Sequence, residues 1–303
     1  MGYITKYGSF WGLLPQTSGR IFWVAPTATY TVEGRTYSAS NNNDGLSPER
    51  ALTTANYAVT QCTANVGDVI VMLPGAHSYA ATVTCNIAGV TITGLPGGTN
   101  TRGMGEGTSA MRHPAGVTET GSDHLFTVSA ANVEIAYLNL VPKAGFAGIA
   151  VTNAAAVNAN LHDLTFLMTT AANTATIGVH ATAIIDRARI SNVFAYVKDN
   201  QGPLIRSGAS SGFTNSVFEN GTVVIDGTTA WDGVIEMITN SNNVLIRDWD
   251  FVHTSGGIFT NVIDVTANTT DYAVTVMRCM FPVAVGTFTT ATATSDIVLC
   301  NNY

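Results

Sequence analysis

The sequence predicts an all-β protein, a right-handed single-stranded parallel β-helix with a short N-terminal capping helix. A pattern of short apolar strands recurs from residue 131 onward. Charged residues make up 11% of the 303 residues, against about 25% in an average globular protein, and Thr, Ala, Asn, Gly and Val dominate instead. No helical segment separates successive strands, so we expect parallel neighbours to arise from stacked coils and not from βαβ units.

The repeat places apolar residues at its first, third, sixth and eighth positions. Alternation turns one face of a strand inward and the other outward, and the two-residue break predicts a bend into a new short sheet. One coil cannot bury its inward face alone, whereas stacked coils bury a continuous core. The starts are separated by 26, 29, 23, 33 and 30 residues, and the six copies are Val133/Ile135/Leu138/Leu140, Ala159/Leu161/Leu164/Phe166, Ala188/Ile190/Val193/Ala195, Ser211/Phe213/Ser216/Phe218, Val244/Ile246/Trp249/Phe251 and Val274/Val276/Cys279/Phe281.

A second strand is predicted between the copies. Its apolar pairs are Ile149/Val151, Ile177/Val179, Leu204/Ile205, Ile235/Met237 and Ile263/Val265. The rival architecture is a two-sheet sandwich of hairpins, which would predict repeated two-residue turns such as Asn-Gly. Only Asn220-Gly221 fits that requirement, so the pattern favours the β-helix.

Two domains are predicted, an N-terminal arm over residues 1–20 and a β-helix over residues 21–303. The arm carries aromatic residues separated by Gly and Ser, and such a segment cannot build a core of its own. We expect it to pack on the body of this chain or on a neighbouring molecule. The predicted partner-docking residues are Tyr3, Tyr7, Phe10, Trp11 and Trp23.

Residues 21–66 are predicted to cap the coils. Residues 21–25 form a first strand, and residues 26–50 form a loop. Ser47 as N-cap and Pro48 at the first helical position predict a helix over 51–64.

The stretch Gly67–Gly75, GDVIVMLPG, predicts a buried strand followed by a Pro-Gly turn. We expect this strand to begin the first full coil, so that the coils run over residues 67–303. Residues 94–124 are rich in Gly and predict a long loop, the one large interruption of the stack.

The run from Asn43 to Pro48 (NDGLSP), a helix, and then GDVIVMLPG together resemble the entry segment of pectin-lyase-like right-handed β-helix proteins. That resemblance implies a helix that caps the open N-terminal end of the stack, and a Gly-Asp pair that turns into the first coil. The head of the chain, MGYITKYGSFWG, also resembles the start of structural proteins of tailed bacteriophages. The resemblance is specific for fold and says little about activity, because this fold hosts many functions.

Composition limits the classes of partner. The net charge of −7 argues against nucleic-acid binding, which needs clustered Lys and Arg. The sequence has no apolar run of 18 residues, so no membrane span is predicted. The first residues lack the features of a secretory signal. Four scattered cysteines predict buried free thiols, with the pairing of Cys279 and Cys300 left open. Six histidines form no metal-type pair, so neither metal nor cofactor is predicted.

Polar residues at the bend of the repeat are the candidate catalytic groups. Stacking the copies brings together Asp163, Asn192, Asn215, Asp248 and Arg278. Enzymes with the fold named above group carboxylates on the outside of one sheet, so the resemblance implies Asp248, Asp250 and Arg278 as candidates for sugar cleavage. The alternative is a structural ladder, since Asn and Asp tolerate bends and bond to local backbone. Glu219, Asp226, Glu236 and Asp264 share no single repeat position by pattern, which favours the ladder.

These observations predict a bacteriophage virion structural protein, a non-enzymatic capsid decoration or fibre-like subunit attached by its N-terminal region. The expected partners are a second and third copy of the chain in a homotrimer, and virion proteins such as the major capsid protein. The trimer is implied by the resemblance to phage β-helices. The alternative is a tailspike-type receptor binder or a depolymerase acting on a bacterial surface glycan.

Overall fold

The computed structural model describes residues 17–95, 113–169, 176–198, 202–226, 231–237, 240–253, 259–265, 273–281, 285–291 and 296–300. These residues hold one α-helix, α1 (Ala55–Gln61), and a 3-10 turn over Pro48–Arg50. The strands of the first half are β1 (Ile21–Val24), β2 (Thr29–Val32), β3 (Arg35–Ser38), β4 (Val69–Met72), β5 (Gly75–Tyr79), β6 (Val83–Cys85), β7 (Thr91–Thr93), β8 (Ala115–Glu119), β9 (Phe126–Val128), β10 (Glu134–Val141), β11 (Ala147–Val151) and β12 (Asn160–Met168).

The strands of the second half follow the same order of sheets. They are β13 (Ile177–Ala181), β14 (Ile184–Asp186), β15 (Arg189–Ser191), β16 (Phe194–Lys198), β17 (Ile205–Ser207), β18 (Gly212–Thr214), β19 (Val217–Asp226), β20 (Trp231–Met237), β21 (Val244–His253), β22 (Phe259–Val265), β23 (Ala273–Met277), β24 (Val285–Ala291) and β25 (Asp296–Cys300).

Two long parallel sheets form the walls of the molecule, and they confirm the predicted parallel β-helix. A 13-stranded sheet follows the order β1-β4-β7-β10-β12-β15-β19-β21-β23-β25, with β5, β8 and β16 joined to its sides. An eight-stranded sheet follows the order β24-β22-β20-β17-β13-β11-β9-β6. Every neighbour in these orders comes from the next coil, so the chain builds both walls by stacking.

The core is one continuous cluster between the walls. The inward residues of the predicted repeats, such as Ile135, Phe166 and Ile246, are fully buried in it. The alternation of apolar residues therefore predicted the core correctly. A smaller cluster forms outside β1 and β4, where the hairpin of β2 and β3 covers Val69 and Val71.

Two rows of residues with left-handed backbone conformation (positive φ) bend each coil. The first row divides the long strands into two parts and comprises Tyr137, Asp163, Asn192, Asn220, Asp248 and Arg278, with φ between 51° and 58°. The second precedes those strands and includes Asn132, Asn158, Arg187, Asn215 and Asn243. Asn is favoured in this conformation because its short side chain bonds locally. The side chains also bond between coils, as Asn243 Nδ2 does to Asn215 Oδ1 at 2.9 Å.

The fourth predicted repeat was out of register. Ile190 pairs with Phe218 and Ala195 pairs with Val223, so Asn220 occupies the first bend row and Asn215 the second. The pair Asn220-Gly221 is accordingly a bend within β19 and not a hairpin turn. The two-residue hairpin turn of the described chain is Glu33-Gly34, both with positive φ, as a type I′ turn requires.

The stack begins earlier than predicted. Ile21 to Val24 pair with Val69 to Met72, so β1 and not β4 is the first strand of the long sheet. Asp68 fixes this entry: its buried carboxylate accepts from the backbone N–H of Arg20 (2.6 Å) and of Thr63 (2.7 Å). These bonds outweigh the burial that opposes ionisation and hold the pKa of Asp68 below its usual value.

The capping helix is shorter than predicted. It begins at Ala55, and the hydroxyl of Thr54 accepts from the N–H of Tyr57 at 3.2 Å. Ser47 and Pro48 start only a 3-10 turn. The chain is extended between the two because Leu52 donates to Trp23 O (2.8 Å) and accepts from Ala25 N (3.0 Å).

The predicted loop over residues 94–124 also contains regular structure. Strand β8 pairs with β5 on one side and β10 on the other, so part of this segment belongs to the long sheet. Residues 96–112 lie outside the described part. No helix in the described ranges is long and apolar enough to cross a membrane.

Candidate functional site

Charged side chains of alternating sign run along the outside of the first bend row, and we call them the bend ladder. Most of these charges meet an opposite charge on a neighbouring coil, and Asp163 meets His162 on its own strand. Opposite charges on neighbouring strands stabilise a sheet, whereas like charges destabilise it. The members in chain order are Glu134, His162, Asp163, Arg189, Glu219, Arg247, Asp248 and Arg278.

His162 lies between two carboxylates at the N-terminal end of the bend ladder. Its Nδ1 is 2.8 Å from Asp163 Oδ2, and its Nε2 is 3.1 Å from Glu134 Oε1. Burial opposes the charged ring, but these two bonds outweigh it and raise the pKa of His162 to about 9. Both ring nitrogens are used, so the ring is held as a bridging cation and does not serve as a base.

Glu219 is the buried centre of the ladder. Arg189 Nε lies 2.8 Å from Oε1, and Arg247 Nε lies 2.8 Å from Oε2. The Glu219 side chain is 4% exposed, whereas the two arginines reach solvent. Burial acts against the charge of Glu219, but the arginines outweigh it and hold its pKa below the usual value.

Asp248 and Arg278 come together as the sequence predicted. Arg278 Nε and Nη2 each lie 2.7 Å from one oxygen of Asp248, which is a bidentate pair. The hydrogen bonds from Arg278 lower the pKa of Asp248. Asp250 lies beyond the bend, at the register position of Thr222. The pairing satisfies both charges of Asp248 and Arg278, as expected of the structural ladder.

A different set of polar residues lies on the outer face of the eight-stranded sheet, and we call it the outer column. Register pairs join His180 to Arg206, Arg206 to Glu236, and Glu236 to Asp264. The four residues therefore occupy one repeat position on four consecutive coils. Adjacent strands lie about 4.8 Å apart, so Glu236 and Asp264 are direct neighbours in the sheet.

Arg206 orients the carboxylate of Glu236. Its Nε is 3.1 Å from Glu236 Oε2, an ion-pair distance without the alignment of a hydrogen bond. Both side chains are about one-quarter to one-third exposed, so they are open to a ligand. His180, on the next coil, is kept neutral: burial first, and then the charges of Arg206 and His124, lower its pKa to about 4.

The repeat of the first strands does not predict this column. Glu219, Asp226, Glu236 and Asp264 share no single repeat position, as expected, because Glu219 and Asp226 lie on the other sheet, but Glu236 and Asp264 are register partners. A usable signal existed: Ile235 and Ile263 head the last two predicted second strands, and an acidic residue follows each of them. Aligning the second strands, and not only the first, would have exposed the pair.

The predicted docking residues divide into two groups. Tyr3, Tyr7, Phe10 and Trp11 lie outside the described residues. Trp23 is only 3% exposed and packs in the small outer cluster, where it lines a cavity of about 410 Å³ beneath the hairpin. Burial leaves Trp23 little surface to offer a macromolecular partner.

The described thiols and potential metal ligands offer no reactive centre. Cys62, Cys85 and Cys279 are free thiols, and burial raises the pKa of all three. A raised pKa keeps a thiol protonated and unreactive. Within the described ranges, no three His, Cys, Asp or Glu side chains gather as a metal centre.

No family model matches the sequence, and no curated protein matches it significantly. Solved structures do match. The pectin methylesterase of Aspergillus niger has a TM-score of 0.54 at 13% identity, over 95% of this chain and 86% of that one. The pectin methylesterase PemA from Erwinia chrysanthemi has a TM-score of 0.53 at 10% identity, over 90% of this chain and 82% of that one. A pectin methylesterase in complex with a hexasaccharide has 0.52 at 10% identity, with the same coverage. At such identities the comparisons show the fold alone: this chain has the parallel β-helix architecture of the pectin methylesterases.

Proposed function

We propose that the protein acts on a polysaccharide at the outer column, and that Glu236 and Asp264 carry the chemistry. The observation that carries this proposal is their register pairing on adjacent coils, with Arg206 on the coil before them. Carboxyl groups about 5–5.5 Å apart are the usual pair of retaining glycoside hydrolases. Register partners on adjacent strands lie side by side, which supports Glu236 and Asp264 as such a pair.

The arrangement suits a two-step hydrolysis. Asp264 as the acid gives a proton to the glycosidic oxygen while the bond to the anomeric carbon breaks, and Glu236 attacks that carbon. Water then displaces Glu236, with Asp264 taking the proton back. Arg206 would hold Glu236 in position, and neutral His180 would offer a hydrogen bond to the sugar on the neighbouring coil.

The structural neighbours support a polysaccharide as the ligand class. They include a pectin methylesterase solved with a hexasaccharide. A long, flat parallel sheet also suits an extended chain that runs across successive coils. These considerations favour the glycan-acting alternative over the non-enzymatic decoration that the sequence first suggested, since that prediction assumed no convergent carboxylates.

A polysaccharide panel tests the proposal. We expect the wild-type protein to release reducing ends from at least one bacterial surface glycan, and Glu236→Gln and Asp264→Asn each to lower the rate by about 10²–10⁴-fold. Asp250→Asn, on the other wall, is the matched control and should retain the rate. Retained activity in both column variants would refute the assignment, and so would cleavage lost equally in Asp250→Asn.

Attachment to a virion, the homotrimer and the major capsid protein as partner remain proposals. Sedimentation equilibrium would give three chain masses for a trimer and one for a monomer. Labelling of intact particles with an antibody against the chain would locate it on the head or tail, and deletion of residues 1–16 should abolish incorporation if the arm docks.

A further inference from the structure

Glu119 is a buried carboxylate to which no described residue donates a hydrogen bond. Strand β8 alternates Ala115, Val117 and Glu119 toward the interior, and Glu119 is only 5% exposed. Both of its carboxylate oxygens are buried, and within the described ranges neither accepts a hydrogen bond. A buried charge in this state is costly unless something neutralises it. The surroundings of Glu119 show what that could be.

Two connecting turns stack beside Glu119. One joins β5 to β6 over residues 80–82, and the other joins β8 to β9 over residues 120–125. Backbone bonds hold them together, from Thr120 N to Tyr79 O and from Val83 N to Leu125 O, both at 2.9 Å. The turns therefore place their polar groups against one another in a fixed geometry.

An oxygen of the first turn and one of Glu119 both approach Gly121. Ala80 O and Glu119 Oε1 lie so close to the point that a Gly121 Cβ would occupy that no side chain could fit, with Oε1 at 2.8 Å. Thr82 Oγ1 is buried nearby without a well-formed hydrogen bond. The carboxylate of Asp123, in the second turn, adjoins that hydroxyl, and its Oδ1 accepts from the N–H of His124 at 2.8 Å.

We propose that this corner binds a calcium ion. The donors are the carboxylates of Glu119 and Asp123, the hydroxyl of Thr82 and the carbonyl of Ala80. All are oxygen atoms, which hard cations prefer, and the two carboxylates balance the charge of a divalent ion. The set mixes carboxylate, hydroxyl and backbone oxygens in two irregular turns, which suits the flexible coordination of Ca²⁺ better than the octahedron that Mg²⁺ demands.

Lys143 is a competing cation beside these turns. Its ammonium donates to Gly121 O from the following coil. Among the described residues it donates no hydrogen bond to Glu119. The carboxylate oxygens of Glu119 are thus left for the calcium ion.

Calorimetric titration of the full-length protein with CaCl₂, after removal of divalent ions by a chelator, tests the site. We expect one Ca²⁺ per chain, weaker binding of Mg²⁺, and a rise in Tm of at least about 3 °C at saturating Ca²⁺. Glu119→Gln and Asp123→Asn should each lower the affinity at least tenfold. Glu33→Gln, an exposed acidic residue elsewhere, is the control and should bind as the wild type does.

Three results would overturn the proposal. One is the absence of binding heat and of a Tm shift in the wild type up to about 5 mM Ca²⁺, the weak end of protein calcium sites. Another is wild-type affinity for Ca²⁺ in the Glu119→Gln variant, once circular dichroism has shown that this variant is folded. The third is equal affinity for Mg²⁺. Polysaccharide cleavage is measured separately, so failure of this site and failure of the outer column are distinguishable.

Discussion

Position 221 must be glycine because a side chain on the next coil occupies the space beside it. It is the register partner of Trp249, whose ring is fully buried directly against it. A Cβ at position 221 would collide with that ring. The absent side chain of Gly221 is thus the space that Trp249 occupies, and it lets Trp249 stack on Phe251 at 6.0 Å.

Gly221→Ala should therefore destabilise the protein. Overpacking of a well-filled core costs about 1–3 kcal/mol, and denaturant unfolding should show a loss in that range. Gly116→Ala is the matched control, because nothing lies within 4 Å of its Cβ position. Trp249→Leu in the Gly221→Ala background should restore part of the loss. Equal stability of the two alanine variants would show that the ring does not fill this space.

The buried side chain of His77 should make the folded protein less stable in acid. It is fully buried, and Nε2–H donates to Leu73 O at 2.8 Å. Burial lowers its pKa from 6.5 to about 4, with the bond to Leu73 acting the other way. Between these two values the unfolded chain takes up a proton that the folded chain refuses. The folded protein therefore has its full stability with respect to His77 above pH 6.5. As the pH falls toward 4, the free energy of unfolding decreases by up to roughly 3 kcal/mol.

His77→Gln tests this assignment. The amide can still donate to Leu73 O but cannot take up a proton, so its stability should fall less steeply between pH 6.5 and 4. His180 has a similarly lowered pKa and remains in both proteins, so the difference between the curves isolates His77. Parallel curves for wild type and variant would exclude His77 as the source of the acid sensitivity.

At the scale of the strand, the bend ladder joins coils by charge as well as by backbone hydrogen bonds. Glu219 is bonded to arginines on β15 and β21, and therefore ties three coils. Loss of the charge of one partner in such a group typically costs about 1–3 kcal/mol. The pair of Asp248 and Arg278 is more exposed, and water and salt should weaken it.

Glu219→Gln should lower the free energy of unfolding by about 1–3 kcal/mol, and most of that loss should persist in 1 M NaCl, because salt screens buried charges little. Arg278→Gln should have a smaller effect. Urea unfolding of both variants at low and high salt makes the comparison. A larger loss for Arg278→Gln would mean that the ladder is not centred on Glu219.

At the scale of the whole molecule, the repeat made the fold predictable. Residues such as Ile135, Ile190 and Ile246 occupy the same inward position in successive copies of the repeat, and a stacked core is the arrangement that buries them all. The register was harder to predict. Trp249 fills the space beside position 221, so this position is Gly where other copies carry an apolar residue. Without that apolar residue the pattern placed the fourth repeat five residues too early.

The outer column could not be read from that repeat. Its residues face solvent on the second wall, and the segments between the walls vary in length from coil to coil. Apolar alternation records what lies inside, so it aligns the core and says little about which outward residues become neighbours. Glu236 and Asp264 are 28 residues apart in sequence and meet only through the pairing of β20 with β22.

The most direct measurement is the position of a bound oligosaccharide. A crystal or cryo-EM structure of the Glu236→Gln variant, soaked with a fragment of the glycan that the wild type cleaves, would show it. We expect sugar rings across the outer face of the eight-stranded sheet, with a glycosidic oxygen within hydrogen-bond distance of Asp264. Sugar bound along the bend ladder, or beneath the N-terminal hairpin with the outer column empty, would contradict it.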